Sequence, residues 1–103
     1  MAIIVNHWQR RERTTIEEFG NAAYEFCRAQ RGVEGIGSSR FYWVNSDTLV
    51  IQSQAESFEA FDRTGTPELG KANFALSDIA RPASTERWQE PRAATELYRR
   101  AGR

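Results

Sequence analysis

The chain has 103 residues, with 14 cationic and 14 acidic side chains and no net charge when its single histidine is neutral. This length makes one domain, hiding roughly 60–70% of its unfolded surface, and a make-up of 40% hydrophobic and 27% charged residues belongs to a folded globular chain. A neutral balance argues against a generic polyanion binder, no run approaches membrane-spanning length, and Cys27, the only cysteine, leaves no intrachain disulfide and no thiolate metal cluster.

Residues 3–8, "IIVNHW", read as the first strand. Alternation puts Ile3, Val5 and His7 on one face and Ile4, Asn6 and Trp8 on the other. Both faces begin apolar, so the strand is expected to be covered on both sides. After the polar "QRRER", Thr15 and Glu18 have the spacing of a capping box, and Ile16, Phe19, Ala23 and Phe26 recur at helical period. That helix is expected to run to about Gln30, with Gly32 in the left-handed position that ends it. "SSRFYWV" and "TLVIQSQ" flank the turn-forming "NSD" as the arms of a hairpin.

Residues 56–80 form a second helical region broken at "TGTP". Ser57 caps a short helix through Phe58 and Phe61, and Pro67 suits the first turn of the next, where its missing N–H costs nothing. Leu69, Phe74, Leu76 and Ile79 are its apolar content. "ERWQE" is the last strand, extended around Trp88, and "AATELYRRAGR" is a short helix or an arm against a partner subunit. Residues 1–92 thus make the domain and 93–103 a tail. The clusters Arg10/Arg11/Arg13 and Arg99/Arg100/Arg103 lack the interleaved aromatics of a single-strand binder and read as solvated ends. No charged and apolar leader pattern opens the chain, so a reducing, cytoplasmic setting is expected.

The order β-α-β-β-α-β with short connections implies α+β architecture: a ferredoxin-like four-stranded antiparallel sheet with both helices on one face. Apolar residues point both ways in three strands, so the other sheet face needs a cover. A second copy of the same sheet is the simplest one.

The strand–helix–"RGVEGIGSSRFYW"–"DTLVIQSQAES"–helix order, over about residues 2–92, resembles the dimeric α+β barrel superfamily near its antibiotic-biosynthesis-monooxygenase-like group. The resemblance implies a homodimer whose two sheets pack into a barrel. That superfamily holds cofactor-independent quinone-forming monooxygenases, haem-degrading monooxygenases, polyketide cyclases, lactone isomerases and domains that only bind small ligands; fold alone does not choose among them. In the haem-degrading branch a first-strand Asn acts with an iron-ligating His on the second helix. Asn6 matches the first, but residues 56–80 contain no His, Cys, Tyr or Met to serve as an axial ligand.

The oxygenase and cyclase resemblance implies a cavity between sheet and helices, where Asn, Trp, Tyr, His and Arg orient a phenolic or enolic substrate. Asn6, His7 and Tyr42 are the catalytic candidates, and Trp8, Tyr24, Arg40, Trp43 and Trp88 the substrate-binding ones. His7 is the one side chain whose ordinary pKa suits a general base near neutrality. Alternation forbids Asn6 and His7 from sharing one pocket without a bulge, and the first-strand Asn parallel favours the Asn6 and Trp8 side. "TGTPELGK" lacks phosphate-loop spacing, no His, Cys or carboxylate cluster points to a metal, and no Ser–His–Asp arrangement is recognisable.

The expected function is therefore a cofactor-independent monooxygenase or cyclase acting on an aromatic or polyketide-like substrate. No cofactor, metal, nucleic acid or membrane partner is expected. A non-catalytic ligand-binding or interaction homodimer is the rival reading, and a haem-binding protein the third.

Overall fold

In the computed structural model, residues 1–62 and 65–102 are described. The first strand, β1 (Ala2–Arg10), pairs antiparallel with both β3 (Thr48–Ala55) and β4 (Ala80–Gln89), and β3 pairs in turn with β2 (Ile36–Trp43). The sheet order is β2-β3-β1-β4, the ferredoxin-like arrangement, with β2 and β4 at its edges. Between the strands run α1 (Ile16–Arg31), the single turn α2 (Glu59–Asp62) and α3 (Pro67–Ile79); α4 (Arg92–Arg100) follows β4.

Helix α1 starts where its sequence dictates. The Glu18 backbone N–H donates to the Thr15 hydroxyl at 3.1 Å, and the Thr15 N–H donates back to the Glu18 carboxylate at 3.1 Å. The buried face of α1 carries Phe19, Ala23, Phe26 and Cys27. They pack with Trp8, Leu49, Ile51 and, from α3, Leu76. Phe19, Leu49, Ile51 and Leu76 are wholly buried, which contributes about 1.5–3 kcal/mol of transfer free energy each.

Strand register assigns the two faces of the sheet. Ala2, Ile4, Asn6 and Trp8 stand opposite Ala55, Ser53, Ile51 and Leu49, the buried series of β3, so this face meets the helices. Ser39, Phe41 and Trp43 of β2 join it. Two buried serines on this face are reconciled with the core by one amide. The hydroxyls of Ser39 and Ser53 both donate to Gln30 Oε1, each at 2.6 Å. Cys27 lies beside Ser39, and burial pushes its thiol above the ordinary value.

Four local expectations are corrected. Gly32 is right-handed at φ −80°, and Gly35 takes the left-handed conformation at φ 93°. The last strand begins at Ala80, not near Glu86; a bulge between the pairs His7–Ser84 and Trp8–Pro82 accommodates Pro82 on the edge. Phe74 is 76% exposed, because it lies half a turn round α3 from the buried Leu76. Ile16 is 48% exposed, at the solvent-facing start of α1. The short helix near Ser57 is a single turn, and the "TGTP" break falls partly outside the described residues, as does Arg103. The C-terminal "AATELYRR" is helical.

Gly70 sits inside α3, and a Cβ built on it meets nothing within 4 Å. Gly70→Ala is therefore expected to stabilise the fold by about 0.5–1 kcal/mol through lower unfolded-chain entropy. A urea midpoint that falls instead of rising contradicts this account.

Candidate functional site

Asn6 and Trp8 are held on the helix side of β1. The Thr85 hydroxyl of β4 donates to Asn6 Oδ1 at 2.7 Å, which fixes the amide and leaves its NH₂ group as the outward donor. The two residues are directly opposite in register. Trp8, 7% exposed, is a core residue first, packed with Leu49, Leu76 and Ala80. Its indole N–H is nevertheless buried without an acceptor among the described residues. Such an orphan costs about 1–3 kcal/mol.

Two residues along β4 on the same face, Arg87 lies opposite Ile4. Its guanidinium carbon is 5.4 Å from the ring centroid of Phe58, just before α2. No carboxylate pairs with it among the described residues. Every residue of β4 beyond Ala80 is exposed. The helix layer therefore leaves the β1–β4 flank as an open shelf floored by Asn6, Thr85 and Arg87. Beneath α1 the corresponding space is filled by the core. The sequence reading missed Thr85, Arg87 and Phe58. The signal was present for the first two: they alternate with Glu86 and Trp88 and so share the face opposite to Trp88.

The remaining candidates stand elsewhere. His7 is on the opposite face of β1, with Nε2 2.9 Å from Glu86 Oε2. Tyr42 and Arg40 oppose Val50 and Gln52, which places them on that same open face, as register also does for Trp88 opposite Ile3. Tyr42 and Trp88 are 48% and 47% exposed. Trp43 is on the helix side, but at the β2 edge. Its ring is edge-on to Phe19 at 5.7 Å, and 3.1 Å from where a Cβ on Gly20 would stand. Tyr24 is exposed on α1. The structure thus brings Asn6 and Trp8 together and separates both from His7 and Tyr42.

An indentation of about 560 Å³ is a solvent-open groove between α1 and α3 lined by Arg28, Ala29, Thr66, Lys71 and Ala75, among others. It contains none of the candidate residues, and Arg28 is already paired with Glu25 at 2.8 Å. Among the described residues no three His, Cys, Asp or Glu side chains are grouped to hold a metal. For haem, α2 and α3 carry no His, Cys, Tyr or Met, so no axial donor is present on the elements where the resemblance requires one. No helix of the described residues is long and apolar enough to cross a membrane.

This combination of sheet order, helix placement and open β1–β4 flank defines a ferredoxin-like α+β protein. Its solved structural neighbours are antibiotic-biosynthesis-monooxygenase-like proteins. SnoaB from Streptomyces nogalater, a cofactor-independent oxygenase, superposes with a TM-score of 0.75 at 13% identity, covering 88% of this chain and 93% of that one. An antibiotic biosynthesis monooxygenase gives 0.73 at 9% identity, covering 88% and 99%. A Mycobacterium tuberculosis protein gives 0.69 at 15% identity, covering 88% and 96%. No family profile and no curated protein matches the sequence.

Proposed function

We propose that this chain is a small-molecule oxygenase or cyclase-like enzyme that acts, without a bound cofactor, on a phenolic aromatic or polyketide-like substrate. The observation that carries the reading is the Asn6 amide, locked by Thr85 with its donors free, on the same strand face as the unpaired indole N–H of Trp8. Donors fixed in place before the reaction stabilise an oxyanion without reorganising. The keto tautomer of such a phenol, as in anthrone, carries a ring methylene acidified by its carbonyl; it releases one methylene proton to water, and Asn6 holds the resulting enolate oxygen. The carbanion carbon then takes up dioxygen. One oxygen atom stays as the new carbonyl and the other leaves as water with the two methylene hydrogens. The structural neighbour SnoaB, a cofactor-independent oxygenase, supports the same class.

His7 takes no part in this scheme. Its place on the far sheet face, which also carries Ile3, Val5, Val50, Tyr42 and Trp88, supports a second copy of the sheet packing there. Tyr42→Asp puts an acidic charge at a half-exposed aromatic position of that face and is expected to convert the homodimer to a monomer. Sedimentation equilibrium reads this directly, and a wild-type chain that already sediments as a monomer sinks the dimer proposal.

The rival is a non-catalytic ligand-binding dimer, favoured by the absence of the sole histidine from the Asn6 shelf. Dioxygen consumption with anthrone as substrate separates the two. Enzyme-dependent uptake with anthraquinone formed supports the oxygenase, whereas anthrone bound without turnover supports the binder.

A further inference from the structure

We propose that Arg87 reads a carboxylate, so that the preferred ligand is an anionic aromatic acid and not a neutral phenol; this rests on the Asn6 shelf being the ligand site. Arg87 shares a strand face with Thr85, the residue that fixes Asn6. Two residues of strand separate them by about 7 Å, the scale of a fused aromatic skeleton carrying an oxygen at each end. The Phe58 ring beneath the guanidinium, at 5.4 Å, restrains its plane while leaving its N–H fork unspent. Among the described residues it has no carboxylate partner, unlike Arg10, which pairs with Asp47, and Arg28, which pairs with Glu25.

A cation of this kind on an exposed surface is ordinarily satisfied by water. What distinguishes Arg87 is its alignment with a donor amide already locked for use. Arg–carboxylate pairing is bidentate and charge-assisted, so it rewards a ligand whose phenol oxygen meets Asn6 while its carboxylate meets Arg87. A neutral phenol gains only the first contact. Arg87 is accordingly a specificity residue, acting on affinity and not on the oxygen chemistry.

Two fluorescent probes test this on the whole chain: 6-hydroxy-2-naphthoate, with its hydroxyl and carboxylate at opposite ends of the ring system, and 2-naphthol, titrated against wild type, Arg87→Gln and Arg87→Lys. Wild type is expected to prefer the acid by about tenfold or more. Arg87→Gln should bring that ratio close to unity by lowering affinity for the acid more than for 2-naphthol, and Arg87→Lys should retain part of the preference, weakened by added salt. Arg87 is exposed on an edge strand, so the variants are expected to fold, and circular dichroism checks this. If 2-naphthol binds but the acid has no advantage, or keeps it in Arg87→Gln, the carboxylate inference is overturned while the shelf reading stands. If neither probe binds wild type, both fall together.

Discussion

Asn6→Ala is expected to lower kcat/KM for anthrone oxidation by about 10²–10³-fold, with the fold intact. The magnitude follows from what the side chain supplies. Its amide is held in place by another side chain, through the 2.7 Å bond from Thr85. Asn6→Asp keeps the shape and still accepts from Thr85, yet it replaces the donor by a like charge facing the enolate, so it should be at least as damaging. Thr85→Val leaves the amide present but unfixed and should give an intermediate loss, mostly in kcat. His7→Ala, on the other face of the strand, should leave anthrone turnover unaltered. Initial rates of dioxygen uptake across these four variants decide the matter. If His7→Ala is as damaging as Asn6→Ala, or Asn6→Ala turns over at the wild-type rate, the assignment of the reactive face is wrong.

The division of β1 into two faces was legible from period-two alternation alone, as was the capping box that starts α1. Both depend on residues near in sequence, where local geometry leaves little choice. The sheet order followed from short connections, which allow few antiparallel arrangements of four strands. The shelf was harder. Thr85 and Arg87 matter only because an 80-residue excursion returns β4 to pair with β1, and nothing local in "STERWQ" announces which strand it will meet. Phe58 sits outside any regular element, so periodicity could not place it. Phe74 misled for another reason: in a short helix interrupted by glycine, an apolar residue half a turn from the buried stripe still looks like core. His7 shows the limit of reading chemistry from residue type. Imidazole is a familiar base, but alternation puts His7 with Ile3 and Val5 on the face turned away from Asn6 and Trp8.

The same sheet face that presents Asn6 at one flank solves a different problem at the other. Ser39 and Ser53 are almost wholly inaccessible, and Gln30 from the last turns of α1 accepts both hydroxyls at 2.6 Å. Each hydroxyl left without an acceptor in such a place costs about 1–3 kcal/mol. Gln30→Leu removes the shared acceptor while keeping similar bulk, so it is expected to destabilise the fold by about 2–4 kcal/mol, less whatever the two hydroxyls recover from each other across 3.5 Å. A loss of that size is a large part of the stability of a domain this small. Adding Ser39→Ala and Ser53→Ala to the Gln30→Leu chain removes the stranded hydroxyls and should restore much of the loss, since replacing every member of a buried polar group by apolar ones can be nearly neutral. Urea unfolding of the single, double and triple variants measures this coupling. If Gln30→Leu costs no more than an exposed substitution, or the serine replacements give no recovery, then the apolar face of α1 holds it to the sheet without help from the Gln30 amide, and the serine cluster is incidental.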